Sequence, residues 1–251
     1  MDNTKRFSNR VENYVRYRPH YPSQIISFLE TKIGFNSHSV VADIGSGTGI
    51  SSEIFLQNGN TVYAVEPNDE MRKAAEKTFH GNKSFISVAA TAEATTLADN
   101  SIDLIAAGQA FHWFDATQCK KEFQRIAVPG AYLCLMWNER EMESDFQQAY
   151  DKLLMEYAPD YKKVSYHSFD EEALTEFFSP FQYFEHTFQN VQFMDFEALK
   201  GRLLSSSYAP LEGDSSYESM MVRLRQIFDE FSKDTQIEFK YRCKIYCGKL
   251  K

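Results

Sequence analysis

The spacing of apolar positions changes character along this chain, and the expected elements follow from it. In residues 23–32, Ile25, Ile26, Phe28 and Leu29 fall on one helical face. Short apolar runs rich in β-branched residues then recur at 40–44, 61–65, 84–88, 102–107 and 131–137. The last is apolar throughout, as a strand covered on both faces is. Helical patterns separate most of them. One runs over 50–58 and stops at Gly59; a second starts at Asn68 as N-cap, with Asp69 and Glu70 in its first turn; a third covers 116–126 and is broken by Pro129-Gly130. Strands alternating with helices predict a parallel sheet with right-handed crossovers.

The rhythm shifts after Trp137. Amphipathic helices are expected over 141–157, 170–178, 196–204 and 216–231, with an aromatic-rich strand over 181–193. Residues 237–247 alternate cleanly. Ile237, Phe239, Tyr241, Cys243, Ile245 and Cys247 take one face, and Glu238, Lys240, Arg242 and Lys244 the other.

The stretch VVADIGSGTG at 40–49 carries the chemistry. A buried strand runs into Gly45, Gly47 and Gly49, which permit a tight turn and close approach to a ligand, and a helix N-terminus follows. The dinucleotide fingerprint G-x-G-x-x-G fails at its third position, which is Ile50. Asp43 precedes the loop, where it would repel a pyrophosphate and suit a ligand with an ammonium group. S-adenosylmethionine has that group, a sulfonium and no phosphate. Glu66 ends the second strand, near the ~20-residue offset at which a carboxylate meets ribose hydroxyls. Asp43 as a mere loop cap and Glu66 as a solvated strand end are the structural alternatives; their joint spacing favours the ligand reading.

The residues DIGSGTG (43–49), Glu66-Pro67, Ala92-Glu93, SIDLI (101–105), QAFHW (109–113) and the turn Pro129-Gly130 together resemble the class I S-adenosylmethionine-dependent methyltransferases. The segment YVRYRPHYP (14–22) and AFHWF (110–114) are similar to the type 11 small-molecule branch that includes trans-aconitate methyltransferases. Two departures stand out. Thr91 replaces an acid before Ala92-Glu93, and Val128-Pro129-Gly130-Ala131 replaces Lys-Pro-Gly-Gly. The resemblance implies an α/β fold: a doubly wound, mostly parallel, seven-stranded Rossmann-like sheet with a terminal antiparallel strand and a helical cap insertion. It implies one domain over 1–251. Within it lie an N-terminal lid (1–34), a cofactor-binding core (35–138), a cap with the sixth strand near 181–193 (139–232) and the terminal strand (233–251).

The expected cofactor set is Asp43, Gly45, Ser46, Gly47, Gly49, Glu66, Pro67, Met71, Thr91, Ala92, Glu93, Gln109 and Ala110. Asp43 would hold the ammonium, Glu66 the ribose, and Pro67 with Met71 the adenine. The expected acceptor set is Tyr14, Tyr17, Arg18, His112, Trp113, Trp137 and Asn138, with His112 as a base or as a holder of substrate oxygens. S-adenosylhomocysteine would be the product, and no metal is expected. The acceptor would be a small molecule, with a carboxylic acid as one class. RNA or protein methylation, a catalytically silent binding protein and a nicotinamide oxidoreductase are the alternatives.

Composition narrows these. Across 251 residues a 43% hydrophobic share supports a real core, and a net charge of −8 disfavours a nucleic-acid surface. Four cysteines occur with no C-x-x-C pair, which leaves no metal or redox signature. A polar start and the lack of an apolar run of ~20 residues predict a soluble cytoplasmic protein, monomer or homodimer.

Overall fold

The computed structural model describes residues 10–158, 160–161 and 171–251. The expected lid residues before 10 and the start of the 170–178 helix lie outside them. Seven strands form one sheet in the order β3-β2-β1-β4-β5-β7-β6. The strands are β1 (Val41–Ile44), β2 (Val62–Val65), β3 (Phe85–Val88), β4 (Ile102–Gly108), β5 (Ala127–Arg140), β6 (Tyr183–Met194) and β7 (Ile237–Lys249). β1 to β5 pair in parallel, and β7 runs antiparallel between β5 and β6. This is the doubly wound, mostly parallel sheet with an antiparallel closing strand that the sequence predicts. From β1 the chain winds outward through β2 and β3, then returns to β4 on the other side. The carboxyl ends of β1 and β4 therefore flank the point where strand order reverses, and a ligand crevice opens there.

Period-two burial distributes the strands between two cores. Ile44, Ile105, Leu133, Leu135 and Trp137 face α5 (Ala116–Ile126) and α7 (Glu171–Phe178). Val41, Leu104, Ala106, Cys134 and Met136 face α2 (Gln24–Ile33) and α3 (Ile50–Gln57), with Cys243, Ile245 and Cys247 of β7. A third cluster joins α6 (Asp145–Tyr157), α8 (Phe196–Leu204) and α9 (Tyr217–Phe231) to the head of β7 through Phe239 and Tyr241. So α6, α8 and α9 share one core, whereas α7 packs on the sheet beside α5.

Two starts differ from the periodicity, that of β5, at Ala127 rather than 131, and that of α6, whereas α5 ends where expected. The α5 helix ends at Ile126, because Ala127 is already extended, so Pro129-Gly130 does not break it. Those residues instead bulge within β5, whose register with β4 jumps from Ile102↔Ala127 to Leu104↔Tyr132. Gly130 takes φ +86, a left-handed conformation open to glycine. The α6 helix starts at Asp145 rather than 141. The Ser144 hydroxyl caps it by accepting from the Gln147 N–H at 3.2 Å, and the Glu141 N–H is already committed to Lys240 O at 3.1 Å.

Helix α1 (Val11–Tyr17) straps the two halves together by packing on α4 (Asp69–Thr78) and α8. Arg10 and Arg18 flank it. Arg10 donates to Leu204 O (2.8 Å) and Ala209 O (2.6 Å), and Arg18 to Ser205 O (3.0 Å). Both charges thus meet carbonyls at the α8 C-terminus, where cations are favoured. No described helix is long and apolar enough to cross a membrane.

Candidate active site

The glycine loop is built by backbone demands. Gly45, Gly47 and Gly49 all have positive φ (+67, +57 and +86). A Cβ on Gly45 would lie 2.7 Å from Ala110 Cβ, so a side chain there collides with the far wall of the crevice. Beneath the loop, Asp43 is fully buried. Its Oδ2 accepts from the Ser51 and Ser52 hydroxyls of α3 at 2.7 and 2.6 Å, while its Oδ1 has no hydrogen bond. Burial pushes Asp43 up to about 6; the Ser52 and Ser51 hydroxyls oppose the rise, and the nearby Glu66 charge adds to it. The hydroxyls of Ser46 and Thr48 are likewise buried without a partner. Three polar atoms of one loop are therefore left wanting a ligand or water.

Glu66 closes the other side. Its Oε2 accepts the Gly47 N–H at 2.8 Å and its Oε1 the Asn68 N–H at 2.7 Å. A carboxylate has about four acceptor positions, so about two remain for hydroxyls of a ligand. Burial raises the Glu66 pKa, against the opposing pull of the Asn68 and Gly47 N–H groups and Arg72. The same N–H bonds fix the carboxylate in place. The side chain of Asn68 also caps α4 by accepting from Met71 N at 3.0 Å.

A cavity of roughly 190 Å³ lies at this switch point. Of the expected cofactor residues, Gly45, Glu66, Pro67, Met71, Thr91, Ala92, Glu93, Gln109 and Ala110 line it, and Tyr14 and Trp113 of the expected acceptor set join them. Gln109 has φ +56, unusual for a residue with a Cβ, and is held by its N–H to Met136 O (2.9 Å) and its amide to Asn138 O (3.1 Å). Such strain concentrates at functional sites. Ser46 and Gly47 sit in the loop behind the cavity wall, as does Asp43. Gly49 serves packing: its absent Cβ would meet the Phe79 ring at 2.5 Å.

The rest of the expected acceptor set does not line the cavity. Tyr17 is pressed against Gly201 of α8, where an added Cβ would run into its ring. Asn138 points to the opposite sheet face, donating to Pro19 O and His20 O and accepting from Asn190. A period-two strand puts Asn138 and its neighbour Trp137 on opposite faces, so both cannot serve one pocket. His112 is exposed at the rim, its ring centre 4.5 Å from that of Trp113 and 6.4 Å from that of Trp137. Arg18 lies one layer out, its guanidinium 4.8 Å from the centre of the Tyr14 ring. Two lining residues were outside the expected sets, Asn68 and Phe114. Asn68 was legible as a helix cap, and its place two residues after Glu66 was the signal for more. Phe114 follows the fourth strand at its active end, where the sequence suits core and cleft equally. A broader depression between α5 and α7, lined by Lys120, Glu171, Glu172 and Thr175, shares no lining residue with this cavity. Among the described residues no group of three His, Cys, Asp or Glu side chains is placed to hold a metal.

Fold and site define a class: a doubly wound α/β protein with an acid-flanked glycine loop at its switch point. Known proteins agree. Residues 42–135 match the family model described as a methyltransferase domain. An uncharacterized methyltransferase of Schizosaccharomyces pombe is 31% identical over 149 residues, covering 59% of this chain and 58% of that protein. An uncharacterized methyltransferase of Mycobacterium tuberculosis is 34% identical over 139 residues, 54% of this chain and 53% of that one. The chain thus spans a little over half the length of these curated relatives. The solved structure of a putative type II methyltransferase from Anaeromyxobacter dehalogenans superposes with a TM-score of 0.70 at 20% identity, over 93% of this chain and 98% of that one. The fold is the Rossmann-like methyltransferase fold.

Proposed function

We propose that this protein is an S-adenosylmethionine-dependent methyltransferase acting on a small molecule. The observation that carries the reading is the pair of buried carboxylates, Asp43 and Glu66, on either side of a loop too crowded at Gly45 for any side chain. Two acids disfavour the phosphates of a nicotinamide cofactor and favour a cationic donor. Asp43 would hold the ammonium, directly or through water, with Ser46 and Thr48 as further polar contacts. Glu66 would take the ribose hydroxyls on its remaining lone pairs. Pro67 and Met71 would pack the adenine, while Thr91 and Glu93 border its edge. The bound cofactor supplies an electrophilic methyl group on a good leaving group. What the chain contributes is alignment, which can supply up to about 7–11 kcal/mol, and exclusion of water. Tyr14, Trp113 and Phe114 form the aromatic side of the cavity, and such faces favour a positive sulfur by roughly 0.5–2 kcal/mol per contact.

A carboxylic acid is the acceptor class we favour within this reading, in keeping with the resemblance to the trans-aconitate branch. An acid acceptor needs no general base, and His112 at the rim would then hold its oxygens. We further infer that α6, α8 and α9 cap the cleft and that α1 serves as its lid. Calorimetry with S-adenosylhomocysteine and with NAD tests the cofactor. Methyl-label transfer to a metabolite pool, to RNA and to protein in parallel tests the acceptor class. Tight binding of NAD, or label passing only into RNA or protein, overturns the proposal.

A further inference from the structure

The cavity is walled by the loops that follow β1, β3 and β4, and one carboxylate ties the last two together. Glu93, on the loop after β3, lines the cavity. Its Oε1 accepts the Asp115 N–H at 3.0 Å. Asp115 directly follows the Phe111–Trp113 turn and Phe114, and it caps α5 by accepting from the Gln118 N–H at 3.0 Å. The Thr91 hydroxyl, the Cys119 thiol and the N–H of Glu93 itself converge on the same carboxylate. Burial opposes the charge, yet these donors hold Glu93 below its usual pKa.

A carboxylate offers about four acceptor positions. At Glu66 two protein N–H groups leave about two of them over. At Glu93 four protein donors face the carboxylate, and none is left over. The amino group on the edge of an adenine therefore finds no open lone pair on this side chain. Glu93 borders the ligand without being placed to read it.

What it holds is the aromatic side of the cleft. The turn closes on itself through the Trp113 N–H to Ala110 O (2.9 Å) and the Phe114 N–H to Phe111 O (3.1 Å). The next N–H along the chain is that of Asp115, and Glu93 takes it. Phe114 stands against the glycine loop: a Cβ on Gly45 would lie 3.2 Å from its ring. Trp113 lines the same cavity. A small shift of this turn thus changes the width of the cleft beside Gly45. The body of α5 has an anchor of its own, because Glu122 accepts the Thr95 N–H and hydroxyl at 2.7 and 2.6 Å. Loss of the Glu93 carboxylate would free the turn and the first residues of α5 and leave the rest of the helix in place.

We propose that Glu93 is a positioning residue for methyl transfer. It anchors the Phe111–Phe114 turn, and so holds Trp113 and Phe114 against the glycine loop, and it does not bind the adenine amino group. The inference rests on the methyl-transfer reading.

The test compares Glu93→Gln and Glu93→Ala with wild type by calorimetry and amide exchange. The ligands are S-adenosylhomocysteine and its 6-oxo analogue, S-inosylhomocysteine. Glutamine keeps a carbonyl oxygen for the Asp115 N–H; alanine does not. Glu93→Gln is expected to bind S-adenosylhomocysteine within threefold of wild type and to keep the Asp115 amide protected. Its preference for the adenosyl over the inosyl ligand should also stay within threefold of wild type. Glu93→Ala is expected to bind S-adenosylhomocysteine at least tenfold more weakly, with faster exchange at Asp115 and unchanged exchange over 119–126. A larger change of preference in Glu93→Gln makes Glu93 a reader of the base and overturns the inference. So does a glutamine variant outside threefold in affinity, or an alanine variant that loses less than tenfold. Should Glu93→Ala fail to fold, as judged by circular dichroism, the glutamine variant decides. Any of these failures with S-adenosylhomocysteine bound to the wild type removes the inference alone; failure of that ligand to bind the wild type removes the methyl-transfer reading and the inference with it.

Discussion

Asp43→Asn separates the cost of the loop acid to the fold from its use in binding. Asp43 is fully buried, accepts two serine hydroxyls on one oxygen and leaves the other without a partner. Raising its pKa from 3.8 to about 6 corresponds to about 3 kcal/mol against the ionised form in the ligand-free fold. Because the folded value lies above the unfolded one, the stability tied to this group is complete below pH 3.8 and is lost as pH rises through about 6. Asparagine keeps the acceptor for Ser51 and Ser52 and removes the charge, but it buries an amide donor at the unpartnered position, at a cost of about 1–2 kcal/mol. The ligand-free variant at pH 8 is therefore expected to gain about 1–2 kcal/mol, a melting temperature roughly 2–8 °C higher for a chain of this size. Its affinity for S-adenosylhomocysteine should fall about 10- to 100-fold, the worth of one charge-assisted hydrogen bond. Differential scanning calorimetry and isothermal titration at pH 8 measure the two. A variant that melts below wild type and binds the ligand normally would refute the electrostatic account of this loop.

Four further outcomes follow from the same geometry. In the wild type, affinity for S-adenosylhomocysteine should decline as pH falls through about 6, as Asp43 takes up its proton, and this slope should vanish in Asp43→Asn. Gly45→Ala, with φ +67 and a Cβ 2.7 Å from Ala110, should lose ligand binding at least 10-fold while the circular dichroism spectrum persists. Gly201→Ala should dislodge Tyr17 and free α1, read as faster amide exchange over Val11–Tyr17 with no change in exchange for β1 to β4. Of the two tryptophans in the chain, Trp113 lines the cavity, so ligand titration should change fluorescence in the wild type and much less in Trp113→Phe.

Much of this molecule can be read from local pattern. The strands with β-branched or uniformly apolar runs, the α5 and α8 boundaries and the alternating β7 follow from side-chain period alone, because burial on one or both faces imposes that period. The glycine loop, Asp43 and Glu66 are equally local: a positive φ and a strand end are properties of adjacent residues. Where the ladder outran the apolar run, the pattern fell short. β5 continues to Arg140 because Glu139 and Arg140 pair with Arg242 and Tyr241, residues a hundred positions away.

Which residues share a cavity was decided by the tertiary structure. Tyr17 and Asn138 have suitable chemistry, yet one is locked on α8 and the other faces the far side of the sheet. Phe114 suits core and cleft equally in sequence, and packing puts it in the cleft. The buried contact of Arg202 with Tyr241 had no signature, since the two lie on separate elements and meet only when α8 packs on β7. Backbone period is set by neighbours along the chain, and so a sequence states it openly. The direction of a side chain toward a common point depends on how whole elements pack, and that is written only in three dimensions.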